Sequence, residues 1–202
     1  MKKIAKGKIK FGQELKNEFN TFGLVLIPVA IAINWVGAYF AQLLKLPIWL
    51  DTIGTMISAI LVGPWNAAIA GALTNLIKWI TFDPVAGPYA ITNAAIGITL
   101  GMLYRKGWFS AKPTVSQIIK SGIIIAVVAT VISAPITVYM FGGVTGGGVD
   151  LITAMLLGTG GMGGLLTAVF SSELIGDLLD KLISLVVVGV IIENIPKKYF
   201  KQ

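Results

Sequence analysis

Long runs of hydrophobic residues with few charges fill most of the chain, and short polar or glycine- and proline-rich links divide them. Residues 22–44 form the first run. As a helix rising about 1.5 Å per residue, it is long enough to cross the roughly 30 Å hydrocarbon core of a bilayer. Pro28, Asn34 and Gly37 interrupt it, and the link at 45–51 carries Trp49 in a position suited to interfacial anchoring. A second, shorter run at 50–62 is turned back by Gly63-Pro64-Trp65 without a charge. The third, at 66–80, contains Ala67, Ala68, Ala70, Gly71 and Ala72, small residues that let helix backbones approach closely where lipid gives apolar surfaces no drive to associate.

Pro84, Gly87 and Pro88 mark residues 81–89 as an ordered loop, and a fourth span at 90–104 ends at Arg105-Lys106. Residues 108–120 are polar enough to lie at a membrane surface. A fifth span at 118–140 carries Pro135 as an expected kink, and the glycine-rich residues 141–148 follow it. Residues 151–170 are apolar enough to span, yet Gly158, Gly160, Gly161, Gly163 and Gly164 each weaken a helix by about 1 kcal/mol relative to alanine. They read as a folded outer or re-entrant segment, which is tolerated at membrane depth only under a cover of protein. The last span is expected at 178–192. The pattern predicts an all-α membrane protein of six transmembrane helices, with a long outer loop or re-entrant segment before the last. Residues 1–20 form a cytoplasmic amphipathic segment and residues 21–202 a single six-helix domain without internal repeats.

Charge orients this arrangement. Lys2, Lys3, Lys6, Lys8, Lys10 and Lys16 precede the first span, Arg105, Lys106, Lys112 and Lys120 surround the middle, and Lys197, Lys198 and Lys201 close the chain. Asp51, Asp83, Asp150, Glu173, Asp177 and Asp180 gather in and beside the other loops. Short loops rich in Lys and Arg stay in the cytoplasm, so both termini and the mid-chain loop are expected inside a bacterial plasma membrane. With 55% hydrophobic and 12% charged residues, the 202-residue chain lacks the polar surface of a soluble domain. The net charge of +7 sits at membrane borders without a recognition motif, which favours anionic headgroups over nucleic acid as its partner. The N-terminal lysines alternate with Ile4, Ile9, Phe11 and Leu15, as in a helix lying on the inner leaflet rather than a cleaved signal.

The chain has no cysteine and no histidine, and so no thiol nucleophile, no thiolate or imidazole metal ligand, and no histidine general base. Neither a phosphate-cradling loop nor a catalytic pair of carboxylates is evident. No enzymatic activity, cofactor or metal is expected. Polar residues within or beside membrane spans usually face a cavity or a partner, because exposing them to lipid is costly. One cluster is Asp51 with Thr52, Thr55 and Ser58, where Asp51 could equally cap the second span. Asn75, Lys78 and Trp79 form another, in which Lys78 could snorkel to headgroups. A third holds Glu173, Asp177, Asp180 and Lys181, in which Asp177 and Lys181 are spaced to pair on one helix face. With Asp83, Tyr89 and Asn93 these clusters converge on the outer side, where Trp35, Trp49 and Trp79 could either stack on a ring or anchor the membrane border. The expected substrate-binding set is Trp49, Asp51, Asn75, Trp79, Asp83, Tyr89, Asn93 and Asp177.

Leu46-Pro47-Ile48-Trp49-Leu50-Asp51-Thr52-Ile53-Gly54-Thr55, followed by Gly63-Pro64-Trp65 and Leu73-Thr74-Asn75-Leu76-Ile77, resembles the membrane-embedded S components of energy-coupling factor (ECF) vitamin transporters. The size, six spans and cytoplasmic ends fit the same family. The resemblance implies an importer subunit that captures a vitamin or related heterocyclic micronutrient at the outer face. It also implies docking on a transmembrane coupling subunit served by two ATPase subunits. Family members typically dock through small residues spaced four apart on the first helix. Pro28 and Ala32, Ala30 and Asn34, and Gly37 and Ala41 have that spacing here, and Ala30, Ala32 and Asn34 are the expected docking residues. A membrane sensor domain and a small secondary transporter are the alternatives from other classes.

Overall fold

A computed structural model describes residues 11–158 and 164–200; expectations that fall on residues 1–10, 159–163 and 201–202 lie outside these. All regular structure among the described residues is helical: α1 (Phe11–Glu18), α2 (Thr21–Leu43), α3 (Ile53–Leu61), α4 (Pro64–Thr81), α5 (Ala90–Arg105), α6 (Val115–Phe141), α7 (Val149–Gly158) and α8 (Leu165–Glu193). Short 3₁₀ turns occupy Gly87–Tyr89 and Lys197–Tyr199. The main helix pairs are α4 with α5 and α6 with α8, and α3 lies between α2, α4, α5 and α8.

The helices turn much of their apolar surface outward. On α2 the buried residues are Gly23, Ala30, Asn34, Ala38 and Ala41, while Leu24, Val25, Val29, Val36, Phe40 and Leu43 are exposed. On α8 the buried stripe includes Ser172, Glu173, Gly176, Asp177, Asp180 and Lys181, and Leu166, Ile175, Leu179, Ile183 and Val190 point outward. Soluble proteins rarely expose apolar surface on this scale. The arrangement suits lipid outside, with small and polar groups at helix contacts. Among the described residues, α2 and α6 are each long and apolar enough to cross a membrane on their own.

The polar interior also accounts for the main departures from the pattern reading. The last helix does not start at residue 178 but runs unbroken from Leu165, and most of the segment expected as a loop or re-entrant element becomes α7 and the first turns of α8. The acids that lower the hydropathy of 173–180 are buried against other helices and do not mark a water-exposed end. The second span is shorter than expected: α3 has only 9 residues, nearly all buried, and the chain before it enters the bundle without helical structure. Non-helical backbone at such depth is tolerated where it lines a cavity. Asp51 does not cap α3, whose cap residue is Thr52.

Two of the expected docking residues are internal. Ala30 and Asn34 are fully buried where α2 meets α3, and a methyl group built on Gly54 would lie 2.1 Å from Ala30 O. The small residues on this side of α2 allow backbone contact within the chain. Ala32, together with Pro28, is on the exposed side.

At the end of the bundle formed by α1, residues 106–114 and the C-terminal turn, Glu18 organises the structure. Its Oε2 accepts bonds from the backbone N–H groups of Trp65 and Asn66, both at 2.8 Å, and its Oε1 lies 2.6 Å from the Arg105 guanidinium. A carboxylate at a helix start satisfies otherwise unpaired donors and meets the positive end of the dipole. Gly63, with φ 150°, makes room for it, since a Cβ there would lie 2.4 Å from the carboxyl carbon. Burial raises the Glu18 pKa above the ordinary glutamate value, and the Asn66 N–H and Arg105 offset this only in part. Thus α1 is clamped to α4 and α5, with Phe11 packed edge-on against Trp65. Glu18→Ala should lower stability by about 1–3 kcal/mol by leaving these donors unpaired. Glu14→Ala, which removes a longer and more exposed contact to Arg105, should be nearly neutral. Thermal unfolding in detergent distinguishes the two.

Candidate functional site

Opposite the Glu18 end, residues 44–52, 82–89 and 142–150 gather over the helices and border a cavity of about 120 Å³. This is several times the roughly 10–15 Å³ that one water needs, so the space suits a multi-atom ligand. Of the expected binding residues, Trp49, Asp51, Asn75, Asp83, Tyr89, Asn93 and Asp177 line it. Trp79 does not. It is 52% exposed, and its ring lies against Gly87 on the outside of the bundle.

The cavity floor is an amide network. Asn34 Nδ2 donates to Thr55 Oγ1 at 2.9 Å and Thr74 Oγ1 at 3.0 Å, and its Oδ1 accepts from the Gly54 N–H at 2.7 Å. Thr55 Oγ1 donates to Asn93 Oδ1, whose own Nδ2 donates to Asn75 Oδ1 and the Asp51 carbonyl. Both Asn93 donors are therefore engaged. Asn75 uses one donor on the Ala86 carbonyl and retains a second.

Two buried lysines flank this floor, each held by acids. Lys78 Nζ lies 2.7 Å from Asp51 and 3.6 Å from Asp83, so it pairs internally and does not snorkel. Lys181 Nζ is 2.5 Å from Asp180 and 3.6 Å from Asp177, and Thr130 donates to Asp177 at 2.7 Å. Asp180 also fixes the wall: its Oδ1 accepts from the backbone N–H of Trp49 at 3.0 Å and of Leu50 at 2.7 Å. These bonds hold Leu50 at a φ of 52°, which an isolated leucine avoids. The Trp49 ring then packs against Gly176, with the Lys181 ammonium 5.8 Å from its centroid.

On the α6 side, Ser133 and Thr137 donate to the two oxygens of Glu173, and Tyr89 Oη lies 2.6 Å from Thr137 Oγ1. Burial raises the Tyr89 pKa, against the Thr137 hydrogen bond, and the nearby Glu173 charge adds to the rise; the phenol keeps its proton. Asp150 accepts from the Thr145 and Gly146 N–H groups and orders the loop above. Two lining hydroxyls, Thr52 Oγ1 and Thr92 Oγ1, are buried without a hydrogen-bond partner among the described residues. Native proteins rarely leave such groups unpaired, and in a cavity they are natural contacts for a ligand. Among the described residues, no group of three acidic side chains is placed to hold a metal ion.

Glu173, Asp180, Lys181, Ser133, Thr137, Thr52 and Thr92 were absent from the expected binding set. For those on α6 and α8 the signal is helical phase. Glu173, Asp177 and Asp180 follow at i, i+4 and i+7, as do Thr130, Ser133 and Thr137 at i, i+3 and i+7, so each set shares a face.

A family model described as "ECF transporter, substrate-specific component" matches residues 23–200, and the chain belongs to that family. It is a membrane transport protein that binds substrate, not an enzyme. No curated protein and no solved structure gives a match.

The buried Lys78–Asp51 pair provides a structural test. Lys78→Met strands a buried carboxylate and should cost roughly 3–5 kcal/mol, whereas combining it with Asp51→Asn should restore much of the loss. A double-mutant cycle on thermal unfolding reads the difference.

Proposed function

We propose that this chain captures a vitamin or similar small heterocyclic micronutrient from outside the cell, and delivers it inward by docking on a transmembrane coupling subunit driven by two ATPases. The observation that carries this reading is the position of the cavity. It lies among Asp51, Asp83, Asp150, Glu173 and Asp177, at the opposite end of the bundle from Lys16, Arg105, Lys106 and Lys112. Under the positive-inside rule the basic end is cytoplasmic and the cavity faces outward in a multi-pass plasma-membrane protein. In this reading α2, α3, α4, α5, α6 and α8 make six crossings, α3 being completed by the non-helical chain before it. Trp49 and Tyr89 supply flat surfaces, and the free Asn75 donor and the Thr52 and Thr92 hydroxyls orient the ligand.

The test begins with mass spectrometry of small molecules retained through purification. Asn75→Ala and Asp177→Ala should then weaken binding of the identified compound. Hydrogen bonds worth about 0.5–1.5 kcal/mol when neutral, or 1.5–3 when charged, correspond to a few-fold to roughly hundredfold rise in Kd. Melting of the ligand-free variants controls for misfolding. Parental affinity in both variants, with unchanged melting, would place the site elsewhere.

For docking, the exposed Pro28–Ala32 side of α2 is the surface on which a partner helix could approach closely. Ala32→Trp should abolish uptake in cells carrying the ATPase module while leaving ligand affinity within about twofold. Ala30→Trp should instead destabilise the chain, because its side chain has no space beside α3. Normal uptake by Ala32→Trp would rule this surface out.

A further inference from the structure

We propose that the substrate carries a protonated nitrogen, an ammonium, amidinium or protonated ring nitrogen, and that this group docks on the Glu173 carboxylate with the rest of the molecule extending toward Trp49. The inference rests on the cavity being the substrate site and goes further by assigning the charge of its ligand.

The positive charges of the cavity already have partners. Its two lysines, Lys78 and Lys181, are bound by Asp51 with Asp83 and by Asp180 with Asp177. Glu173 differs from those acids. It is 5% exposed, lines the cavity, and takes part in none of the ion pairs among the described residues. Its partners are hydroxyls, Ser133 on one oxygen and Thr137 on the other, with Tyr89 bonded in turn to Thr137. Two hydroxyls, one on each oxygen, can both donate to an ionised carboxylate, the form that a cationic ligand would stabilise.

Hydroxyl donors do not neutralise a charge, and a carboxylate withdrawn from water is costly without a countercharge. The charge of Asp150 also acts on Glu173, although its oxygens are engaged by loop N–H groups. An anionic ligand would therefore meet five lining carboxylates and two lysines that are already paired. A cation completes the missing pair. Two independent features mark this as a ligand site rather than a mere acidic cluster. The unpartnered, buried Thr52 and Thr92 hydroxyls line the same cavity, and the Trp49 ring packs over Gly176, about one helical turn from Glu173.

Three probes of nearly identical shape separate charge from size: benzamidine, which is cationic at neutral pH, neutral benzamide and anionic benzoate. Their binding to the purified full-length protein in detergent is measured by thermal shift and calorimetry. Benzamidine should bind about tenfold more tightly than benzamide, the difference between a charge-assisted and a neutral hydrogen bond, and benzoate should bind most weakly. Glu173→Gln should bring benzamidine to the level of benzamide without weakening benzamide. Should that variant not fold, the ranking in the parent protein decides alone. Equal or tighter binding of benzamide or benzoate, or a benzamidine preference that survives Glu173→Gln, would overturn the assignment of charge while leaving the outward cavity in place. Binding of none of the three at millimolar concentration would also overturn it, and the retained-metabolite experiment would still judge the site independently.

Discussion

A charged side chain among lipid tails has two options, to reach the interface or to find a partner inside the protein, and this chain uses the second option repeatedly. Lys78, Lys181, Asp51, Asp177, Asp180 and Glu173 are all almost completely buried. Their need for partners determines which helices meet: Asp51 ties the start of α3 to α4, Asp180 ties α8 to the chain before α3, and Glu173 ties α8 to α6. Hydrophobic burial cannot supply this order, because lipid is as apolar as leucine. The same groups form the walls of the cavity, so the interactions that assemble the bundle also prepare its site.

Much of this was legible in the sequence, for reasons particular residues show. Long apolar runs bounded by charges, glycine or proline located α2, α4, α5 and α6 to within a few residues, because hydropathy reports directly on contact with lipid. Asp51, Asn75, Asp83, Asn93 and Asp177 could be grouped because all flank the links on one side of the alternating spans, and the structure brings them to one cavity. The start of α8 was not legible, since a window average cannot distinguish an acid facing water from one facing a buried lysine. Trp79 falls outside the cavity for a related reason: position along the chain gives depth, but only helical phase gives the face. Ala30 and Asn34 show the same limit. Small residues spaced four apart mark a close helix contact without saying whether the other helix belongs to the same chain.

The opposite end of the bundle follows a different logic. Glu18, Arg105 and the first turn of α4 form a compact polar cluster that also includes Asn66, whose Nδ2 reaches the carbonyls of Glu18 and Gly23 and whose Oδ1 accepts from Ser58. The amphipathic helix α1 is thereby joined to α2, α3, α4 and α5 at once. The interior therefore has polar clusters near both ends, with the apolar cluster of Met56, Ile60, Ile96, Leu100, Ile125 and Leu185 between them.

The continuity of α8 gives the molecule a mechanical property. A 29-residue helix is about 43 Å long, and this one grips the Trp49–Leu50 backbone through Asp180 while Gly189, nine residues on, lies against Pro113 in the loop at the other end. Helices are stiff along their axes, so the two attachments belong to one lever. The tryptophan wall and the 106–114 loop are thus attached to one continuous helix at points about 13 Å apart along its axis.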